Sequence, residues 1–434
     1  MNAVDLIIKK RQGQRLETDE IDQFVHGVSD GSWPDYQIAA MLMAIFIRGM
    51  DNQEITDLTL SMARSGDQLD LSALPGVKVD KHSTGGVADT TTLILVPLVS
   101  SCGIPVVKLS GRGLGFTGGT VDKLESIPGF QVQIPIERAL ELVRRNNAVI
   151  MSQSANLTPA DKKLYALRDV TGTIDSIPLI AASIMSKKIA AGTDAIVLDV
   201  KCGSGSFMQD LDSARQLART MVDIGHLANR RVTAVISSMD QPLGLNVGNT
   251  LEVIEAIEVL KGSVTGDLLD VSLLLGSQML VLAGRSASLD EARSLLMTNL
   301  KSGAGLQSLR QIISGQGGNA GVIDDYSLFP QPVCHLKLTA LTDGWLSAMD
   351  TAGIGHAFVT AGGGRLAKED PIDYSAGFIF KHRLGDILKA GETIAEIQAV
   401  SPQKAEAALI QLQQAIQIGS EQPVLKPIIL DTIQ

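Results

Sequence analysis

At about 150 residues per domain, a chain of 434 residues has room for two to four domains, and 45% hydrophobic with 19% charged residues is the balance of a globular protein with large cores. A formal net charge of −10 and 3% aromatic residues argue against a nucleic-acid partner, which calls for a basic surface or a stacking platform. Three scattered cysteines, Cys102, Cys202 and Cys334, lack CxxC spacing and read as reduced thiols; with no apolar leader and no membrane-length run, the expected setting is the cytoplasm, without a membrane partner.

Helices are predicted first. Thr18 starts one, residues 35–50 form another behind Pro34, and Asn52 to Ala63 a third. From Val77 strands and helices alternate. VKVD is read as a strand, KHSTGGVAD as a loop and TTTLILVPLVSSC as an apolar helix stopped by Gly103. IPVVKL is the next strand, SGRGLGFTGGT (110–120) a loop, TVDKLESI a helix ended by Pro128, and FQVQIPI a further strand. This order implies a parallel sheet with right-handed crossovers. Thr158 and Pro159 open a helix reaching Arg168, and another spans Ser176 to Ala191. DAIVLDV (194–200) and RVTAVIS (231–237) read as strands, and helices dominate 250–300. From about 330, GWLSAMD, GIGHAFVTAGGG and FIFKHRLGDILKAGETIAEI read as short strands and turns of an α+β domain. The last resembles a lipoyl-type hairpin, without an evident lysine to modify. No fixed-period repeat or low-complexity segment is present.

The loop 110–120 holds five glycines in eleven positions, with Ser110, Arg112, Thr117 and Thr120 among them. Such bareness lets backbone N–H groups approach an anion at a helix N-terminus. The loop after VKVD repeats the scheme, with Lys81, His82 and Ser83 before Gly85 and Gly86 and with Thr90, Thr91 and Thr92 beyond them. Two donor-rich loops after consecutive strands, with Lys81 and Lys108 supplying charge, suit one phosphate or pyrophosphate held from both sides. Gly113, Gly115 and Gly118 match GxGxxG, but FQVQIPI offers no acidic residue for a ribose, so a dinucleotide is not expected; a Walker loop is excluded because no GK[ST] follows.

KHSTGG, SGRGLGFTGGTVDKLESIPGF, LTPADKKLYALRDVT and SIPLIAASIMSKKIAAG together closely resemble the class II nucleoside phosphorylases, the thymidine and pyrimidine-nucleoside enzymes, over essentially the whole chain. The resemblance implies a multidomain α/β protein. Its parts are a small all-helical domain (1–65, joined by 160–192), a larger α/β domain with a mostly parallel sheet (66–159 and 193–329), and a C-terminal α+β domain (330–434). It implies a homodimer that uses phosphate to convert uridine, thymidine or deoxyuridine to free base and α-D-(deoxy)ribose 1-phosphate, with inversion at C1′ and no organic cofactor. Lys81, His82, Ser83, Thr92, Lys108, Leu109, Ser110 and Thr120 are then expected at phosphate. Arg168, Ser183, Lys187, Tyr165, Ile180 and Ile184 are expected at the nucleoside, with His82, Arg168 and Lys187 in catalysis. The residue chemistry agrees. Ser183 and Lys187 share a helix face at i, i+4, and Arg168 offers a planar fork to carbonyl oxygens. His82 serves as hydrogen-bond partner or proton donor to base O2.

Strict thymidine phosphorylases resemble one another in an apolar residue where Lys108 stands; a lysine that can reach a ribose hydroxyl or phosphate favours the broader enzyme. The broad enzymes also resemble one another in a potassium site, matched here by Ala88, Thr90, Leu243, Asn246 and Glu255. Two residues depart from the family: Phe116 replaces a usual histidine, and Ala88 a usual glycine, which suffices only if its φ need not be positive. An anthranilate-type phosphoribosyltransferase is the rival enzyme, needing an acidic, magnesium-binding pair, and a nucleoside-binding or signalling protein with a dead site is the non-enzymatic one.

Overall fold

The computed structural model describes residues 2–113, 115–116, 118–154, 156–365 and 370–434; Thr117 of the second glycine loop lies outside them. Helices α1 (Ala3–Arg11), α2 (Thr18–Asp30), α3 (Asp35–Arg48) and α4 (Asn52–Arg64) come first. Asp51 and Glu54 form a reciprocal capping box that starts α4, and left-handed Gly31 (φ 78°) ends α2. Ile21, Phe24, Val25 and Val28 of α2 and Ile38, Met41, Leu42 and Ile45 of α3 are buried at helical spacing.

The middle of the chain runs β1 (Val79–Ser83), α5 (Thr91–Ser101), β2 (Val106–Ser110), α6 (Thr120–Glu125), α7 (Ile136–Asn146), β3 (Ala148–Ser152), α8 (Pro159–Thr171), α9 (Ile177–Ala190), β4 (Ala195–Cys202), α10 (Leu211–Leu227) and β5 (Arg231–Ser238). β1, β4 and β5 pair in parallel in that order, and β2 pairs in parallel with β3 beside β1. Along β4, Ala195 and Val197 enter one core with α5 and the helices Asn249–Lys261 and Asp267–Leu282; Ile196, Leu198 and Val200 enter another, continuous with α2, α3 and α4. Covered on both faces, β4 is mostly apolar, and its two charged residues, Asp199 and Lys201, are buried and paired at 2.8 Å. α9 packs on α4, and α8 on α2 and α3, so these two helices join the N-terminal bundle.

Four details differ from the sequence reading. β1 extends through Lys81, His82 and Ser83, which were expected in a loop. FQVQIPI is not a strand: Pro135 lacks an N–H for a ladder, and the partner of β2 is AVIMS, residues 148–152. GIGHAFVTAGGG is helical over Thr351–Ala361, because Asp350 caps it and Ile354, Ala357, Phe358 and Ala361 bury one face. The strand Ile429–Ile433 returns to pair antiparallel with β5, outside the α+β unit in which its position in the sequence placed it. The remaining C-terminal strands form an antiparallel sheet of Cys334–Thr339, Gly377–Phe380 and Thr393–Ala399 with Asn246–Val247, and a second of Gly344–Met349, Ile387–Leu388 and Ile416–Gly419.

Candidate active site

A cavity of about 350 Å³ opens between the carboxyl ends of β1 and β2 and the facing sides of α8 and α9. Ligands of open α/β sheets collect at that edge. The loop wall carries His82, Ser83, Thr92, Lys108, Leu109, Ser110 and Thr120; the helix wall carries Tyr165, Arg168, Ile180, Ser183, Ile184 and Lys187. All thirteen were singled out from the sequence.

Lys81 is not on that wall. Strand alternation turns it to the opposite face from Asp80 and His82. Its ammonium lies 2.6 Å from Thr91 Oγ1, 3.1 Å from Asp199 and 3.7 Å from Asp89, in a buried cluster that Lys201 completes. On the other face Asp80 accepts from Lys188 at 2.6 Å and lies 3.5 Å from Lys108, tying β1 to α9 and β2. Burial pushes the Lys108 ammonium down to about 7 against the pull of Asp80. Burial, then the charges of Lys188, Lys108, Lys187 and Lys81, push His82 well below its ordinary value. A neutral imidazole is thereby favoured, which suits a hydrogen-bond donor better than a source of protons.

The second loop is held by Asp122. Its carboxylate accepts from Gly113 N at 2.7 Å, Arg112 Nη1 at 2.9 Å and Arg365 Nη1 at 2.9 Å, and Arg112 also forks onto Glu125. Arg112 is thus engaged by carboxylates on α6 while it borders the cavity. The Phe116 ring lies 5.3 Å from that of His356, centre to centre, at a tilt of 51°, and a Cβ at Gly355 would lie 2.5 Å from the Phe116 carbonyl oxygen. Phe116 therefore seats the loop on the helix Thr351–Ala361.

On the helix wall, Lys187 donates to Ser183 Oγ at 2.9 Å and pairs with Asp161 at 2.5 Å. Arg168 donates one N–H each to the carbonyls of Thr173, Leu179 and Ile174, leaving two of its five N–H groups, and its guanidinium sits 5.7 Å from the Tyr165 ring centre. Asp161, Tyr165 and Arg168 share a face at i, i+4, i+7, a signal that could have flagged Asp161. Phe207 and Met208 also line the cavity; they stand on a loop after β4 that carries no local signature.

Near the first loop, the Glu255 carboxyl accepts from Leu245 N and Asn246 N. Burial, with Glu252 adding to it, pushes its pKa up to about 7. Oxygen donors from Ala88, Thr90, Leu243, Asn246 and Glu255 are of the type a hard monovalent cation takes, but the partners that the Glu255 carboxyl shows here are backbone N–H groups. The Ala88 carbonyl already accepts from Thr90 N and Gly244 N, and that of Leu243 from Arg383. Ala88 has φ 54°, the positive value that its substitution for glycine was expected to avoid, so an alanine is held in a left-handed conformation costing about 1–2 kcal/mol.

Three family models match the chain in succession: the glycosyl transferase family helical bundle domain over 4–66, the glycosyl transferase family a/b domain over 76–306, and the pyrimidine nucleoside phosphorylase C-terminal domain over 345–419. The chain is 53% identical over 397 residues to a pyrimidine-nucleoside phosphorylase of Geobacillus stearothermophilus, covering 92% of each. It is 50% identical to one of Bacillus subtilis (strain 168), covering 97% of each. Among solved structures it is similar to anthranilate phosphoribosyltransferase from Thermus thermophilus, with 21% identity, a TM-score of 0.60 and coverage of 72% of this chain and 99% of that one. That likeness is one of fold.

Proposed function

Because the chain belongs to the pyrimidine-nucleoside phosphorylase family, we propose that it transfers the pentosyl group of a pyrimidine nucleoside to inorganic phosphate, releasing the base and an α-pentose 1-phosphate. One observation carries this reading: a donor-rich glycine-loop wall faces Arg168, Ser183 and Lys187 across one cavity. Phosphate, held by Ser83, Thr92, Lys108, Ser110 and Thr120, attacks C1′ from the face opposite the base, and inversion follows. The departing pyrimidine carries its negative charge on O2, N3 and O4. Lys187 and the spare N–H groups of Arg168, aimed at those atoms, favour the transition state over the neutral substrate. Neutral His82 donates a hydrogen bond beside the base. Gathering both reactants in one cavity supplies up to about 7–11 kcal/mol. Lys81 acts from beneath the wall, or turns outward when phosphate binds.

Lys108 favours the broad enzyme, acting on uridine and deoxyuridine as well as thymidine. Potassium, held by Ala88, Thr90, Leu243, Asn246 and Glu255, pins the first loop and takes no part in the chemistry. The functional unit is a homodimer, and the three unpaired thiols suit a cytoplasmic setting. No helix among the described residues is long and apolar enough to cross a membrane.

The test is direct. Incubated with phosphate and either uridine or thymidine, and without magnesium, the protein releases uracil and thymine; Lys187→Ala keeps its fold by circular dichroism and loses about 10²–10³-fold in kcat. Release of thymine alone reduces the reading to a strict thymidine enzyme, and release of neither overturns it.

A further inference from the structure

Arg365 stands in the C-terminal part of the chain yet reaches the second glycine loop. It follows the helix Thr351–Ala361 by three glycines, which let the chain fold back onto that helix: Gly362 is left-handed at φ 105°, and a Cβ at Gly363 would overlap the Phe358 ring. Two bonds fix the turn, from Asn249 Nδ2 to the Gly363 carbonyl at 2.8 Å and from Asp373 N to the Gly362 carbonyl at 2.9 Å. The Arg365 guanidinium thereby meets Asp122 Oδ1 at 2.9 Å. Asp122 is 2% exposed, and its Oδ2 lies directly behind the loop wall: it accepts from Gly113 N at 2.7 Å, and a Cβ at Gly119 would lie 2.7 Å from it. Gly113 and Gly119 both line the cavity, whereas Asp122 and Arg365 do not. Tyr374 repeats the link one turn further along α6, its hydroxyl donating to Glu125 at 3.3 Å. A carboxylate beside an anion site repels the ligand unless its charge is matched. Asp122 and Glu125 carry two negative charges here, and Arg112 divides its one positive charge between them, so the balance closes only with Arg365. Without it, a buried carboxylate is left short of a partner at the point where it fixes Gly113.

We propose that Arg365 is a positioning residue for phosphate: through Asp122 it holds the second glycine loop in its anion-binding form, without itself touching the ligand. This rests on reading the loop wall as the phosphate site. Hydrogen bonds to an ionised partner are worth about 10–100-fold, and Arg365, acting at one remove, should contribute at the lower end of that range. A general structural prop would act on both ligands of the cavity; a support of this loop acts on phosphate alone.

Titration calorimetry on the full chain, with inorganic phosphate and separately with uracil, tests it. Arg365→Ala should bind phosphate about 10-fold more weakly than the unaltered protein, and uracil within about two-fold of it. On top of Asp122→Asn, the same Arg365→Ala change should cost less than about two-fold, because the residue acts through that carboxylate. Should either variant not fold, Arg365→Gln, which removes the charge but keeps a long polar side chain, must show the loss for phosphate alone. Unchanged phosphate affinity in Arg365→Ala overturns the inference. So do equal losses of phosphate and uracil, and so does a full loss on top of Asp122→Asn, which would make Arg365 a bare charge acting at a distance. Failure of the unaltered protein to bind phosphate overturns it too. Phosphate binding that depends on Arg365, without nucleoside cleavage, removes the proposed reaction and leaves the positioning role standing; cleavage with a phosphate affinity indifferent to Arg365 does the reverse.

Discussion

Lys108 is enclosed by charges of both signs: Asp80 draws it toward the protonated form, while Lys188, Lys81 and above all burial oppose that. Its pKa falls from 10.5 to about 7. Between those values the unfolded chain holds a proton that the folded one has lost, so this residue's penalty on stability lessens as pH rises through that interval. The site meanwhile loses a cation as pH passes about 7. Since kcat/KM reports the free enzyme, kcat/KM for phosphate should decline above about pH 7. Lys108→Met should flatten that limb and depress uridine turnover more than thymidine turnover; parallel pH profiles for the two proteins would contradict the assignment. Glu255 has the opposite sign. Its pKa rises from 4.5 to about 7, so the folded state binds the extra proton, and stability falls as pH climbs through that window. Potassium, if bound as proposed, offsets the cost only where the carboxylate is ionised. Replacing tetramethylammonium with potassium should therefore stabilise the protein by about 1 kcal/mol above pH 7 and by much less below it, as read from thermal unfolding.

The second glycine loop is an element whose conformation is set by backbone crowding. A Cβ at Gly119 would lie 2.1 Å from Gly113 N and 2.4 Å from the Arg112 carbonyl carbon, and no side-chain rotation relieves contacts made by backbone. Gly119→Ala should displace the loop and weaken phosphate about 10–100-fold, while binding of free pyrimidine base, held by the opposite wall, stays within about two-fold. Equal losses in both would place the defect in overall folding. This loop was legible because its information is local: a strand, five glycines with interleaved donors, and a helix follow in order. That Ser183 and Lys187 are one turn apart would by itself mark an ordinary solvated helix face, so the helix wall was legible only through the family resemblance, with which that spacing agrees. The buried carboxylates were not. Asp80 meets Lys188 across 108 residues of sequence, and Thr90 meets Glu252 across 162. Such pairings exist only once the sheet has formed. Reading FQVQIPI as a strand failed because Pro135 interrupts its alternation, and GIGHAFVTAGGG concealed a helix because three of its glycines trail the element's end.

At the scale of the whole molecule, the two cavity walls come from different elements: α8 and α9 pack with the N-terminal helices, while the glycine loops rise from the sheet. The bundle also leaves an apolar face uncovered. Tyr36, Ala40, Met43 and Ile47 recur along one side of α3 at i, i+4, i+7, i+11, with Phe46 beside them. Tyr36 is 74% exposed and Ile47 68%, while the opposite side of α3 is buried. Val4 of α1 and Val170 of α8, on the two helices packed against α3, are exposed as well. A single exposed leucine or valine needs no explanation, whereas a stripe of this length marks an interface. The homodimer proposed above would cover it, since a two-fold axis lets the same stripe meet itself. A charge placed there enters such an interface twice. Ile47→Glu should therefore weaken the dimer at least about 100-fold, turning a species of twice the 45.9 kDa chain mass into one of that mass by sedimentation equilibrium, with the circular dichroism spectrum unchanged. A wild-type protein that already sediments as a monomer, or a variant that stays dimeric, would move the interface elsewhere and leave the α3 stripe without a partner.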